Sequence, residues 1–152
     1  MAGAEQSKMG ARRTLATVDQ LAIKSLPRFR DARGVLVPVE FAAAVPIQVA
    51  RLFWVTEVPP GATRGSHAHK ACRQFMICMA GRLSIAFADG TGCRVLELGA
   101  GDAVDVPPGI FASETYVDPM TTLLVLCDRP YEAEDYLVDL DALRAFRGTV
   151  GG

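Results

Sequence analysis

The chain contains two histidines, His67 and His69, which are separated by one residue. On a β-strand, residues two apart project from the same face, so both imidazoles would enter one space. An imidazole has an unperturbed pKa of about 6.5, which suits proton transfer near neutral pH, and its neutral form also binds transition metals. A lone histidine is more often an ordinary core or surface residue. A pair that shares one face indicates a site of acid–base chemistry or of metal binding.

The elements that would position this pair are strands. Proline and glycine divide the chain into short runs, and the runs between them are rich in apolar and β-branched residues. The predicted strands are 35–39, 47–58, 74–80, 83–87, 94–98, 103–106 and 121–127. Asp89 and Gly90 lie between two of these runs, as in a hairpin. Since closed or double-layered sheets avoid long exposed edges, the pattern predicts an all-β jelly-roll or barrel.

The last part of the chain has the spacing of a helix. Tyr136, Leu140 and Leu143 recur four and three residues apart, and this predicts an amphipathic helix. The acidic residues just before Tyr136, among them Asp135, would lie at the positive end of its dipole, and Arg147 would lie at the negative end. We therefore expect one short C-terminal helix on an otherwise all-β fold.

Length and charge exclude several classes of protein. The chain has 152 residues, 50% of them hydrophobic, and a formal net charge of -1. This predicts a single domain over residues 14–148 after a flexible tail at 1–13, with no charge excess to attract nucleic acid or an anionic membrane. No apolar run approaches the roughly 20 residues that span a bilayer. The cysteines form no C-x-x-C pair, so neither a disulfide framework nor a zinc knuckle is indicated. We expect a cytoplasmic protein with no nucleic-acid or membrane partner.

The spacing around the histidines resembles the two cupin motifs. The first motif is matched by Gly61, His67, His69, Gln74 and Gly81, and the second by Gly101, 107–109, Ala112 and Tyr116. In metal-bearing cupins the first motif supplies two histidines and a glutamate, and the second supplies another histidine. Here Gln74 and Ala112 occupy the glutamate and second-motif histidine positions. Because an amide oxygen is a poor substitute for a carboxylate on a transition metal, we predict no bound metal.

More of the chain resembles one cupin subfamily, the dTDP-4-keto-6-deoxyglucose 3,4-ketoisomerases of deoxysugar biosynthesis. The similar segments are 31–40, 51–55, 64–70 (RGSHAHK), Gln74, 106–109, 124–126 and 131–136 (YEAEDY). The RGxHAHK string and the closing YxxxDY string are the specific parts of this resemblance. It implies a cupin jelly-roll β-barrel that forms a homodimer by exchanging N-terminal strands.

The resemblance also implies an activity and a site. The family moves a keto group from carbon 4 to carbon 3 of a nucleotide-linked hexose without a cofactor. By resemblance, His69 is the principal base and His67 is its partner or proton relay. Arg51 and Arg64 would hold the diphosphate, since a guanidinium makes paired, charge-assisted hydrogen bonds. Lys70 and Gln74, both in the similar segments, complete the predicted substrate-binding residues.

The chain departs from the family at two places. The run at 51–55 normally contains tyrosines, one of them catalytic, but here it has Phe53 and Trp54. The family's Trp-His-Glu string is replaced at 111–113, where Ala112 stands at the histidine position. Tyr116, Glu114 or water could compensate for the lost groups.

These departures leave two readings besides the leading hypothesis of a ketoisomerase. The first is a nucleotide-sugar-binding cupin with impaired catalysis that serves a partner enzyme, and the lost tyrosine and histidine favour it. The second, a metal-dependent cupin enzyme, is disfavoured by Gln74 and Ala112.

Overall fold

The computed structural model describes residues 13–151. The predicted flexible tail at 1–13 therefore lies, except for Arg13, outside the described residues. The strands are β1 (Ile23–Ser25), β2 (Phe29–Asp31), β3 (Gly34–Leu36), β4 (Arg51–Val55), β5 (Thr63–His69), β6 (Gln74–Ala80), β7 (Arg82–Ala88), β8 (Cys93–Gly99), β9 (Asp102–Val106), β10 (Phe111–Tyr116), β11 (Thr122–Cys127) and β12 (Tyr136–Leu137). The helices are α1 (Phe41–Ala44) and α2 (Leu140–Gly151), with 3-10 turns at Val18–Gln20 and Ala133–Asp135.

Two five-stranded antiparallel sheets form the body of the protein. The first has the order β1-β9-β6-β11-β4 and the second the order β12-β5-β10-β7-β8, while β2 and β3 form a separate hairpin. This arrangement confirms the predicted all-β fold with a short C-terminal helix. The sheets do not join through hydrogen bonds into a closed barrel within the described residues. No described helix is long and apolar enough to cross a membrane.

The main core lies between the two sheets because the strands alternate as predicted. On β7, Leu83, Ile85 and Phe87 are buried, while Arg82 and Ala86 are exposed. The turn after β7 is the predicted hairpin, and β7 pairs with β8. Its Asp89 carboxylate accepts hydrogen bonds from the backbone N–H groups of Val18, Thr91 and Gly92. The N-terminal 3-10 turn is thereby attached to the tip of this hairpin.

Several predicted boundaries were wrong. The predicted strand 35–39 is cut short at Leu36, and Pro38, which has no N–H to give a ladder, lies in the segment that follows. Val37 and Val39 instead pack on a second apolar cluster around Phe75 and Ile77. Strands β5 and β10 were not among the predicted runs, because their polar residues hide the apolar alternation.

The C-terminal helix begins later than its spacing predicted. Tyr136 and Leu137 pair with His69 and Ala68 as β12, so they are not helical. Helix α2 starts only after Asp139, whose carboxylate accepts a hydrogen bond of 2.7 Å from the backbone N–H of Ala142. The helical spacing of 136, 140 and 143 was thus overridden by strand pairing, and Asp135 is not a charge at a helix end.

Candidate functional site

One cavity between the sheets collects most of the predicted site residues. Its volume is about 170 Å³, and it is lined by Arg51, Phe53, Val55, Arg64, Gly65, His67, Gln74, Met76, Glu114, Tyr116, Leu123, Val125 and Tyr136. A larger depression of about 400 Å³ lies along the exposed β2–β3 hairpin, but it contains neither histidine. The cavity between the sheets combines an apolar wall with several titratable groups, so it is the candidate active site.

The local shape of β5 brings its histidines to this cavity. Gly65 and Ser66 have positive φ angles of 76° and 59°, and the pairing of β5 with β10 shifts register beside them. A bulge of this kind bends a strand and turns its side chains. Beyond the bulge, the ring centroids of His67 and His69 are 5.1 Å apart in an edge-to-face arrangement. The two imidazoles therefore share one face, as the spacing predicted.

A hydrogen bond to Asp135 orients the ring of His69. The Nδ1–H of His69 donates to Oδ2 of Asp135 at 2.9 Å, and the backbone N–H groups of Ala71 and Cys72 donate to the same carboxylate at 2.7 and 3.2 Å. This contact leaves Nε2 of His69 as the basic nitrogen, and Nε2 is buried without a hydrogen-bond partner among the described residues. Burial lowers the pKa of His69, with the Asp135 hydrogen bond acting in the opposite direction. The ring is therefore neutral and able to accept a proton near neutral pH.

The two histidines lie at different depths. His67 lines the cavity, whereas His69 lies behind it and is not part of the wall. The ring of Tyr136 lies against both, with centroid distances of 4.8 Å to His67 and 4.5 Å to His69. Burial raises the pKa of Tyr136, although a hydrogen bond from Arg51 opposes this. Tyr136 thus places a phenol beside the histidine pair, which the strand at 51–55 does not.

The two predicted diphosphate-binding arginines both line the cavity. Neither forms an ion pair with an acidic side chain within the described residues. The guanidinium of Arg51 lies 4.8 Å from the ring centre of Phe53 and 5.3 Å from that of Tyr131. A guanidinium has several N–H donors, so Arg51, which bonds Tyr136, and Arg64 both keep donors available for an anionic ligand.

The other two predicted binding residues are separated by the fold. Gln74 is buried in the cavity wall, and its amide contacts the sulfur of Cys127 at 3.7 Å. Lys70 is exposed, and its Nζ donates to the backbone oxygen of Glu134 at 2.6 Å. The structure therefore does not bring Lys70 into the cavity with the others.

Glu114 and Tyr116 reach the cavity from β10. Both are buried, and burial raises the pKa of Glu114 to about 7 and that of Tyr116 above its usual range. The Tyr116 hydroxyl has no hydrogen-bond partner among the described residues. Phe53 forms part of the same cavity wall, whereas Trp54 lies on the opposite face of β4 with 64% of its surface exposed.

The donor groups do not suit a transition metal. Two of the four cupin ligand positions are held by His67 and His69. At the other two, Gln74 offers only an amide and Ala112 offers no donor atom. Ligand atoms of His69, Cys72 and Asp135 lie within 4.8 Å of one another. However, the Asp135 oxygens already accept three hydrogen bonds, and a hydrogen bond with Cys127 together with burial raises the pKa of Cys72, which keeps its thiol protonated. A metal here would have to displace the Cys72 thiol proton and the hydrogen bonds of Asp135, so this group of residues is a poor metal site.

Sequence reasoning missed Asp135 and Tyr136 as site residues, although both lie in the YEAEDY string that carried the family resemblance. The signal was present, but it was assigned to the first turn of a helix. Their roles follow from the pairing of β12 with β5, which joins residues far apart in the sequence.

Two antiparallel sheets that enclose a cavity, with a histidine pair beside it, define a cupin-like protein. The chain belongs to the FdtA family, described as WxcM-like, C-terminal, whose sequence model matches residues 19–148. This membership confirms the resemblance found in the sequence.

Relatives of known activity share the fold. The chain is 24% identical over 117 residues to the TDP-4-oxo-6-deoxy-alpha-D-glucose-3,4-oxoisomerase of Aneurinibacillus thermoaerophilus, covering 76% of this chain and 84% of that protein. It matches QdtA, a sugar 3,4-ketoisomerase from Thermoanaerobacterium thermosaccharolyticum crystallised with TDP, with a TM-score of 0.79 and 24% identity over 87% of this chain and 97% of that one. It matches the WlaRB TDP-quinovose 3,4-ketoisomerase of Campylobacter jejuni with a TM-score of 0.76 and 26% identity over 84% and 99% of the two chains.

Proposed function

We propose that the protein is a dTDP-4-keto-6-deoxyhexose 3,4-ketoisomerase that works by acid–base proton transfer without a metal. The observation that carries this proposal is the His67–His69–Asp135 array beside a cavity with two arginines that lack an acidic partner. The relatives that the chain resembles are sugar-nucleotide 3,4-ketoisomerases. They support an enzyme over the alternative of a catalytically impaired binding module.

The chemistry requires a base that can also return a proton. A proton leaves carbon 3 next to the carbonyl, an enediol forms, and a proton is added at carbon 4. In our proposal His69 is the principal base, because Asp135 fixes its Nδ1–H and leaves Nε2 free. His67 is the relay at the cavity wall, since it lines the cavity and its ring lies beside that of His69.

Recognition of the nucleotide is assigned to the two arginines. In our proposal Arg51 and Arg64 bind the diphosphate, because both line the cavity and neither has an acidic partner within the described residues. Gln74 contacts the bound ligand from the wall. Lys70 is left without a direct role, since its ammonium group is held by the Glu134 backbone.

The assembly and setting of the enzyme are also part of the proposal. We propose a homodimer with exchanged N-terminal strands, supported by the exposed apolar side chains of the β2–β3 hairpin and of β4. A reducing, cytoplasmic location is supported by the four cysteines, all of which are free thiols in the structure.

The test of this function is turnover of dTDP-4-keto-6-deoxyglucose. We expect the wild-type protein to form the 3-keto isomer and His69→Asn to lower kcat by at least about 100-fold, the lower limit for loss of general acid–base catalysis. The affinity for TDP should change by no more than about twofold, because the substituted ring lies behind the cavity wall. His67→Asn should show the same pattern if the two rings act together. Product formation followed by NMR, with TDP affinity by calorimetry, provides both measurements.

Binding without isomerisation would contradict this proposal. If the wild-type protein binds TDP and the keto sugar nucleotide but forms no isomer, the catalytic assignment is wrong and the protein is a binding module.

A further inference from the structure

Glu114 is a buried carboxyl that faces the catalytic cavity. It lies on β10 directly opposite Arg64 of β5, and only 5% of its surface is exposed. Its side chain lines the same cavity as His67. No hydrogen bond joins its carboxylate to another side chain within residues 13–151. A group that is costly to bury and is not used to stabilise the fold is a candidate for function.

The opposite strand leaves space for this carboxyl. Gly65 lies where any Cβ would collide with both oxygens of Glu114, and its φ angle of 76° is one that other residues rarely adopt. The glycine that bends β5 toward the histidines therefore also makes room for the Glu114 side chain against β5.

Burial gives this carboxyl the acidity that proton transfer near neutral pH requires. Burial raises the pKa of Glu114 from 4.5 to about 7, while a hydrogen bond from its own backbone N–H and the positive charge of Arg64 lower it in part. The other charged and titratable groups that line the cavity are Arg64 and His67 on β5, Tyr116 on β10, Arg51 on β4 and Tyr136 on β12. The residue paired with Glu114 on β7, Ile85, is apolar. A group titrating near the working pH can both give and accept a proton efficiently.

We propose that Glu114 is the second catalytic acid–base residue of this site and carries the hydroxyl proton between the two sugar oxygens. It would supply the proton transfer that the family assigns to a tyrosine, which this chain lacks at Phe53. The inference rests on the proposed ketoisomerase activity and extends it to a residue that the family resemblance did not assign.

The proposed reaction consists of two pairs of proton transfers. As the histidine pair takes the proton from carbon 3, protonated Glu114 gives its proton to the carbonyl oxygen on carbon 4, and the enediol forms. The histidine pair then returns its proton to carbon 4, while the Glu114 carboxylate takes the proton from the hydroxyl on carbon 3. The carbonyl is then on carbon 3, and both Glu114 and the histidines are back in their starting states.

Two phenols in the cavity are weaker candidates for this role. Burial raises the pKa of Tyr116 and of Tyr136 above their usual range, which makes each a poorer acid near neutral pH. The ring of Tyr136 also lies against the histidines, so it belongs to their side of the cavity.

The test compares Glu114→Gln with wild type and with Glu97→Gln. The amide keeps the size of the side chain but cannot carry a proton, so kcat/KM should fall by about 100-fold or more while TDP affinity stays within about twofold. Glu97 is an exposed carboxyl bonded to Ser84 on the outer face of the same sheet, and its amide variant should retain wild-type activity.

The pH profile separates a catalytic role from a structural one. Because protonated Glu114 starts the reaction, wild-type kcat/KM should fall as the pH rises through about 7. Glu114→Gln should lack this alkaline limb, and Glu114→Asp, which keeps a carboxyl, should retain a limb at lower activity. If the amide variant does not fold or does not bind TDP, the alkaline limb in the kcat/KM profile of Glu114→Asp provides the test.

The outcomes distinguish the two proposals. If the wild type turns over and Glu114→Gln retains half of its activity or the same alkaline limb, the role of Glu114 is wrong while the ketoisomerase proposal stands. An active Glu114→Asp variant without the limb overturns the role in the same way. If the wild type does not turn over at all, both proposals fail.

Discussion

The two buried carboxyls of the candidate site, Asp135 and Glu114, lie in opposite environments. Asp135 accepts three hydrogen bonds and serves to orient His69. Glu114 accepts a hydrogen bond from its own backbone N–H but none from another side chain within residues 13–151, and it lies beside Gly65 in the cavity wall. The first carboxyl is satisfied as an anion, whereas the second is easier to bury as the neutral acid. This difference separates a positioning residue from a residue that can exchange a proton.

The burial of Glu114 has a consequence for stability that needs no substrate. Its pKa is raised from 4.5 to about 7 in the folded protein, so the folded state binds the proton more tightly than the unfolded chain. Its contribution to stability is therefore fully present below about pH 4.5 and is lost as the pH rises through about 7. Relative to Glu114→Gln, the wild type should lose roughly 3 kcal/mol across this range.

Urea denaturation of both proteins between about pH 5 and pH 8 measures this difference. The two stability curves should diverge as the pH rises and run parallel above about pH 7. Curves that stay parallel throughout would contradict the burial of Glu114 as an acid.

Sequence alone identified the part of the site that lies in one short string. His67, His69 and Arg64 fall within seven consecutive residues, and strand geometry is enough to place the two histidines on one face. Asp135 and Tyr136 could not be placed in the same way, because their position depends on a strand pairing across the sequence. Glu114 was noted as a replacement candidate, but its burial and its fit against Gly65 follow only from the fold.

At the scale of elements, the alternating strands were the predictable ones. The hairpin β7–β8 and strand β11 follow their apolar patterns closely. Strand β5 was obscured by its polar residues and by the bulge at Gly65 and Ser66, although it carries the histidines. The strand that carries both histidines thus has a weak hydrophobic signal.

Helix α2 begins directly after Asp139, and we predict that this residue stabilises the start of the helix. The Asp139 carboxylate accepts the Ala142 N–H and satisfies one of the free donors of the first helical turn. Asp139→Ala should therefore cost about 0.5 to 2 kcal/mol of stability, as expected for loss of an N-terminal cap.

Asp141→Ala is the matched control for this substitution. Asp141 is in the first turn of the same helix, and its side chain is 93% exposed and pairs only with Arg144. Asp141→Ala should lower the free energy of unfolding by less than Asp139→Ala does, as measured by thermal or urea denaturation. Equal losses in the two variants would mean that the helix does not depend on the Asp139 cap.

The whole molecule presents apolar surface in two places that the proposed dimer would cover. Phe29 and Leu36 on the β2–β3 hairpin have 60% and 65% of their surface exposed, and Leu52 and Trp54 on the edge strand β4 have 51% and 64%. Such side chains on the edge of a sheet favour association with a second copy.

We therefore expect light scattering at micromolar concentration to give twice the chain mass of 16.3 kDa. Leu36→Asp and Trp54→Asp should each shift the protein toward the monomer. Val138→Asp is the control, because Val138 is 70% exposed in the short link before α2 and belongs to neither the β2–β3 hairpin nor β4. A wild-type monomer at this concentration would contradict the proposed dimer.

The short strand β12 has a consequence for how the protein is made. It pairs with β5 at the end of the second sheet, so it both covers the edge of the histidine strand and follows directly after Asp135. During synthesis, β5 leaves the ribosome long before its edge partner does. Until residues 135–137 emerge, the nascent chain has an open sheet edge and a histidine without its carboxylate. The histidine site can therefore form only after β12 has been made, and a chain that stops before β12 would lack Asp135 beside His69 and would be inclined to aggregate.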